Sequence, residues 1–176
     1  MLLRIAAGVA VLVGIVLVFA ATRPGTFRVQ RSIQIDASPA TVFALINDFH
    51  NWSRWAPQDK EDLSMQRTYR GAASGQGAIS DWRSNGSAGI GEMSITESLP
   101  TTRISVKTDF VKPFAAHNIN DFVLEPAGDA TKVTWTMHGT NLYLMKAMGI
   151  FVNMDRVMGQ HFETGLHNLK ALAEGD

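Results

Sequence analysis

Glu97 is the carboxylate best placed to do chemistry in this chain. It follows Met93 and Ile95 at alternate positions of a strand-like stretch, so alternation predicts that all three face one interior. A carboxyl withdrawn from water there would titrate above its ordinary range. It could orient a ligand hydroxyl or serve as a general acid or base. His161 is the second candidate, at the edge of the apolar face of a C-terminal helical stretch. An imidazole there could hold or pass a proton, although a lone histidine is more often structural. His117 shares the phase of Ile119 and Val123, opposite Phe122, and is predicted to lie outside. Asp81 and Asp109 are out of phase with the same interior.

Other chemistries are excluded or weakly signalled. The chain has no Cys, which removes disulfides, thiolate zinc sites and a thiol nucleophile. His161 and His167 are six residues apart, on different helix faces, and make no usual metal pair. Gly71, Gly75 and Gly77 precede no helix and no Gly-Lys-Ser/Thr, so they form no nucleotide loop. No G-x-S-x-G is present. No metal and no cofactor is expected. Lys+Arg and Asp+Glu are both 16, so there is no cationic surplus for phosphates and no nucleic-acid partner is expected.

These residues need elements to position them. Phe27 to Ile35 (FRVQRSIQI) reads as a strand. Ser38 is a good N-cap with Pro39 at the first helical position, and Val42, Phe43, Leu45 and Ile46 give a short apolar helix stripe. Asp48 to Pro57 reads as a tight turn. Six strands follow at 63–70, 78–84, 91–99, 103–110, 117–125 and 131–138, separated by Gly, Pro and Asn-Gly signals. Short connections predict an antiparallel meander. Met158, Phe162, Leu166, Leu169 and Leu172 then repeat at helical spacing, predicting a long amphipathic helix over 155–173 with Gly165 on its apolar face. Residues 142–154 are very apolar and read as a helical turn or a mobile lid.

The first segment is different. Ile5 to Thr22 is a run of 18 uncharged residues, which as a helix would reach about 27 Å, one hydrocarbon core. An uncleaved membrane anchor is favoured over a cleaved signal peptide, because the run is long and its cleavage fit is mediocre. Residues 1–26 are therefore read as anchor or signal with a short linker, and 27–176 as one domain. Arg4 and Arg23 leave with the first segment, so the domain keeps 14 Lys+Arg against 16 Asp+Glu, a net charge of −2. The charge comparison across the run favours a cytoplasmic domain slightly; its N-terminal position favours export. The expectation is an extracytoplasmic, membrane-anchored, monomeric domain.

Three strings are distinctive: Arg31-Ser32-Ile33-Gln34-Ile35-Asp36-Ala37-Ser38-Pro39 with Val42-Phe43, Asn51-Trp52-Ser53-Arg54-Trp55-Ala56-Pro57, and Thr131-Lys132-Val133-Thr134-Trp135-Thr136-Met137-His138-Gly139. In this order they resemble the START-like superfamily of birch-pollen-allergen-like proteins, with its polyketide cyclase/dehydrase and lipid-transport group. The resemblance implies an α+β helix-grip fold, a curved antiparallel sheet wrapped around a long C-terminal helix, with a cavity between them. Alternation then names the lining. Trp82 is in phase with Ala78 and Ser80, Met93 with Ile95, Val106 with Ile104, and Phe122 with Leu124. Trp135 and Met137 share a face with Val133, while Met158, Phe162 and Gly165 face them from the helix. Gly165 is expected to leave room for a ligand. Trp52 and Trp55 are expected to brace the turn rather than gate the pocket.

The resemblance implies a hydrophobic small-molecule partner, a lipid, isoprenoid or aromatic polyketide-like ring, and binding without turnover is the favoured expectation. A cyclase- or dehydrase-like enzyme using Glu97 or His161, and a protein-binding module, are the rival expectations.

Overall fold

The computed structural model describes residues 4, 8, 14, 18, 21–62, 64–86, 88–141, 146, 149 and 153–175. The apolar run 5–22 and the segment 142–152 fall almost wholly outside them. Among the described residues no helix is long and apolar enough to cross a membrane.

Among the described residues, seven strands form one antiparallel sheet: β1 (Thr26–Ile35), β2 (Gln66–Gly71), β3 (Ala78–Arg83), β4 (Ile90–Leu99), β5 (Arg103–Lys112), β6 (Ala116–Ala127) and β7 (Ala130–Thr140). The order is β1-β7-β6-β5-β4-β3-β2, so β2 to β7 are a meander and β1 closes onto the last strand. Thr26 pairs with Thr140 and Ile35 with Thr131, without a slip. The alternation of small or apolar with polar residues that marks these strands in sequence is the alternation of their two faces.

Between β1 and β2 the chain makes three short helices. In α1 (Pro39–Asn47), Ser38 Oγ accepts from Thr41 N at 3.2 Å and Pro39 opens the first turn, where no donor is needed. A 3-10 turn (Phe49–Asn51) is capped by Asp48, whose Oδ1 accepts from His50 N at 2.9 Å. Then come α2 (Trp52–Trp55) and α3 (Pro57–Glu61). The Gly71–Gly77 connection is a pinned corner. Gly75 and Gly77 both have positive φ, which glycine adopts without steric cost. Their N–H groups donate to Asn47 O at 2.8 Å and Ile95 O at 2.9 Å.

The final helix, α4 (Met154–Glu174), is capped by Asn153, whose Oδ1 accepts from Arg156 N at 3.0 Å. It ends at Gly175, which is left-handed at φ 83°. Its buried face, Phe162, Leu166 and Leu169, packs into the concave side of the sheet. Three contacts fix its register: Arg31 Nε to Glu163 at 2.7 Å, Lys170 Nζ to Gln34 O at 3.0 Å, and Asn168 Nδ2 to Trp55 O at 3.0 Å. This is a helix-grip arrangement.

Candidate functional site

An aromatic cluster sits within the interior between sheet and helices. Trp135 stacks on Phe162 with ring centroids 4.2 Å apart and lies 5.0 Å from Phe122. Trp55 meets Trp135 edge-on at 6.0 Å, and Trp52 meets Phe122 edge-on at 5.9 Å. Both turn tryptophans are buried, and their indole N–H groups donate to the end of α1, Trp52 to Ile46 O at 2.8 Å and Trp55 to Leu45 O at 3.3 Å. They brace the turn, as expected.

A cavity of about 100 Å3 remains, in the half of the sheet toward the ends of β5 and β7. An apolar hole of about 150 Å3 takes one benzene, and drug-sized sites run from about 300 Å3. As it stands this space is smaller than either. Its apolar walls are Trp52, Met65, Trp82, Ala88, Met93, Phe110, Trp135 and Met137. The aromatic planes and the methionines make a wall that is flat in places and adaptable in others.

Among the described residues, four polar side chains share that wall: Gln58, Arg67, Thr108 and Asn120. Arg67 is held by Asp59 through Nε–Oδ1 at 2.7 Å and Nη2–Oδ2 at 2.9 Å, and its Nη1 donates to Ser80 Oγ at 3.1 Å. The pair is almost out of water, with side chains 10% and 6% exposed. Trp135 Nε1 donates to Asn120 Oδ1 at 2.9 Å, and Asn120 Nδ2 donates to Thr108 Oγ1 at 3.0 Å. A second depression, about 380 Å3, lies over Asp81, Arg83, Glu92 and Val111. Charged residues line it, so it offers an apolar ligand less than the smaller interior space does.

The sequence-based lining divides in two. Trp82, Met93, Trp135 and Met137 do border the cavity. Ile95, Val106, Phe122, Leu124 and Phe162 face the same interior but are closed in by one another, at most 3% exposed. Met158 is half-buried at the edge of the core. Of the apolar stretch 142–154, Met145, Met148 and the side chain of Met154 lie outside the described residues.

Two expectations are corrected. Glu97 does not face inward. The β4–β5 pairing slips between Ile95 and Glu97, so a bulge at Thr96 reverses the alternation and turns Glu97 to the outer face. There it pairs with Arg103 at 3.1 Å. Gly165 leaves no room. A β-carbon at that position would lie 2.9 Å from Trp135 Cζ3 and 3.2 Å from Pro57 Cδ, because the indole and the proline ring already fill the space. His161 is half-buried on α4 and does not line the cavity.

The reading of the sequence missed Arg67, Thr108 and Asn120. Thr108 and Asn120 share the phase of Val106 and Phe122, so a polar residue within an inward-facing series was the available signal. Arg67 gave none, since its partner Asp59 comes from a different element, α3.

On the outer face, Asp121 accepts from Ser105 Oγ at 2.5 Å and Arg103 Nη2 at 2.9 Å, and pairs with His138 Nε2 at 3.1 Å. Partial burial works to raise its carboxyl, but these three bonds prevail and hold it below the ordinary range. Among the described residues no group of three or more His, Cys, Asp or Glu is arranged to hold a metal ion.

The backbone is shared with solved structures of low identity, which bear on the fold alone. Protein CV1439 from Chromobacterium violaceum is 17% identical and superposes with a TM-score of 0.59, covering 87% of this chain and all of that one. TTHA0849 from Thermus thermophilus is 18% identical at TM-score 0.58, covering 84% and 97%. The di-domain ARO/CYC StfQ from the steffimycin biosynthetic pathway is 11% identical at TM-score 0.65; the match covers 85% of this chain and 51% of StfQ. No curated protein matches the chain. The model of one family, polyketide cyclase / dehydrase and lipid transport, matches residues 26–174, which is the whole sheet and the final helix. With that match, and with the helix-grip architecture already in place, the chain belongs to the polyketide cyclase / dehydrase and lipid transport family.

Proposed function

We propose that this protein binds a small hydrophobic, ring-bearing molecule between sheet and C-terminal helix, without chemical turnover. The cavity carries the reading: aromatic planes and adaptable methionines around a small interior space, with a few fixed polar groups. Burial of a ring there contributes about 25 cal/mol per Å2 before the costs of association. The ionisable side chain among the described lining residues is Arg67, and a guanidinium is a cation and donor, not a proton shuttle. This supports binding over a cyclase-like reaction, for which a proton donor or acceptor would have to stand in the wall.

Residues 1–26 are proposed to hold the domain, 27–176, at a bilayer through the apolar run 5–22, on the extracytoplasmic side and as a monomer. Two placements support the tether. The linker is bonded to the end of the sheet, where Asn141 N donates to Gly25 O at 2.8 Å. The same end carries the β5–β6 hairpin tip with exposed Val111 and Phe114, next to the cavity-lining Phe110. A tether there brings the cavity half of the sheet toward lipid.

Native mass spectrometry of the full-length chain released from nanodiscs tests the binding reading. A stoichiometric ring compound in the adduct, identified after extraction, is the expected result. An apo mass that takes up nothing from a mixed lipid and aromatic extract overturns it.

A further inference from the structure

We infer that one end of the sheet is a docking surface for a bilayer with anionic headgroups; this rests on the membrane placement proposed above and not on the ligand. Antiparallel pairing brings the start of β1 and the ends of β3 and β5 to that end. Helix α4 also starts there, because it runs alongside β1 in the same direction: Asp155 meets Arg31, Lys170 Nζ donates to Gln34 O, and Asp36 N donates to Glu174. Val111 and Phe114 at the β5–β6 tip, and Val157 in the first turn of α4, are 60%, 59% and 51% exposed. Among the described residues the opposite end exposes one large apolar side chain, Leu99. Apolar groups gathered on an exposed surface mark a contact with something apolar.

The charges are sorted along the same axis, although the chain has no net charge. Arg31, Arg70, Arg103 and Lys132 each pair with a carboxylate. Arg28, Arg83, Lys112 and Arg156 are exposed and have no carboxylate partner among the described residues. They are the third residue of β1, the last of β3, the last of β5 and the third of α4. Arg83 and Lys112 flank Ile90 in one cross-strand row beside the exposed tip. The carboxylates nearby are already taken, Asp155 by Arg31, Asp62 by Ser64 and Ser84, and Asp81 and Glu92 by Arg70. At the far end Asp36, Glu97, Glu125, Asp129 and Glu174 outnumber Arg103, Lys132 and Lys170. Such a dipole turns the cationic, apolar end toward an anionic surface and the acidic end away. The run Ile5–Thr22 joins at the same end, through Gly25.

The chain has no Cys, so one introduced thiol carries one probe. Val111→Cys and, as the far-end control, Asp129→Cys are labelled with nitrobenzoxadiazole in the full-length protein. Each is reconstituted into vesicles of phosphatidylcholine alone, or of equal parts phosphatidylcholine and phosphatidylglycerol, with nitroxide on some acyl chains. The Val111 probe is expected to be quenched in the anionic vesicles and far less in the neutral ones, while the Asp129 probe is quenched in neither. Arg83→Gln with Lys112→Gln lowers the ratio of docked to free tip about fivefold per charge removed. Added salt acts in the same direction. Arg83→Lys with Lys112→Arg retains docking, and near-ultraviolet circular dichroism establishes that the variants keep the packed aromatic core. A Val111 probe that stays unquenched in anionic vesicles, quenching indifferent to phosphatidylglycerol, or full docking by the neutralised variant overturns the assignment. Flotation of the same protein with the vesicles then leaves the membrane placement standing. Protein that floats with neither vesicle overturns both.

Discussion

The indole of Trp82 packs onto the α-carbon of Gly91, its cross-strand partner in β3 and β4. A β-carbon at position 91 would collide with Trp82 Cη2 and Cζ2, and would come within 2.5 Å of the Asp109 carbonyl oxygen. The ring is held from its other end by Nε1, which donates to Ala88 O at 3.0 Å. Glycine is thus what allows a tryptophan to form this side of the cavity.

Gly91→Ala is accordingly expected to destabilise the domain by about 1–3 kcal/mol, the cost of overpacking where backbone as well as ring must shift. Urea unfolding gives the loss. One indole N–H resonance should move in the same variant as the Trp82–Ala88 bond is disturbed. A wild-type midpoint with unmoved indole signals would mean that the ring has other room.

Trp135→Phe keeps an aromatic ring against Phe162 and removes the N–H. It leaves Asn120 Oδ1 buried without its donor, at about 1–3 kcal/mol. Trp135→Ala also opens a cavity and should cost about 3–5 kcal/mol. Adding Asn120→Leu and Thr108→Val to Trp135→Phe recovers part of the loss, because every member of the buried chain is then apolar. Denaturant unfolding of the three variants checks the order.

Asp59→Asn is expected to cost about 3–5 kcal/mol, since it strands a guanidinium that is barely exposed. Replacing both partners, Asp59→Leu with Arg67→Met, should restore most of that stability, as buried ion pairs trade well against packed apolar groups. A double variant no better than the single one would show that the pair holds α3 in a way that packing does not replace.

Asp121 makes the outer face acid-sensitive. Burial raises its carboxyl and the bonds from Ser105, Arg103 and His138 lower it, with a net depression. A folded-state value below the unfolded one contributes stability that is complete above the ordinary carboxylate range, about pH 4, and is lost as pH falls through the folded value. Asp121→Asn should therefore unfold at a lower urea concentration than the wild type at neutral pH. The gap should narrow in stepwise acid. A constant gap across that titration would remove Asp121 from the acid response.

Much of this was legible along the chain. Strict alternation placed Trp82, Met93, Phe122 and Trp135 on one face, because a strand without a slip has a period of two. The same rule misplaced Glu97, since one extra residue at Thr96 reverses every later side chain in that strand, and neither Ile95 nor Thr96 advertises a bulge. Gly165 was placed on the correct helix face but with the wrong consequence. What fills the gap over it is the Trp135 ring and Pro57, and ring placement is a tertiary outcome. Periodicity named much of the apolar concave face and passed over its polar members Thr108 and Asn120. Which of those residues border open space depends on how Trp52, Trp55 and Trp135 lean together.

The closure of β1 onto β7 governs the order in which the molecule can assemble. Strands β2 to β7 each find their partner from a neighbour a few residues away, so the meander can zip locally as it leaves the ribosome. The first strand to emerge must wait for the last one, and its second support, α4, arrives later still. Long-range closures of this kind are slow. During synthesis the nascent chain therefore carries an unpaired β1 directly behind its apolar run until β7 and α4 have both been made, and their arrival completes the hydrophobic interior.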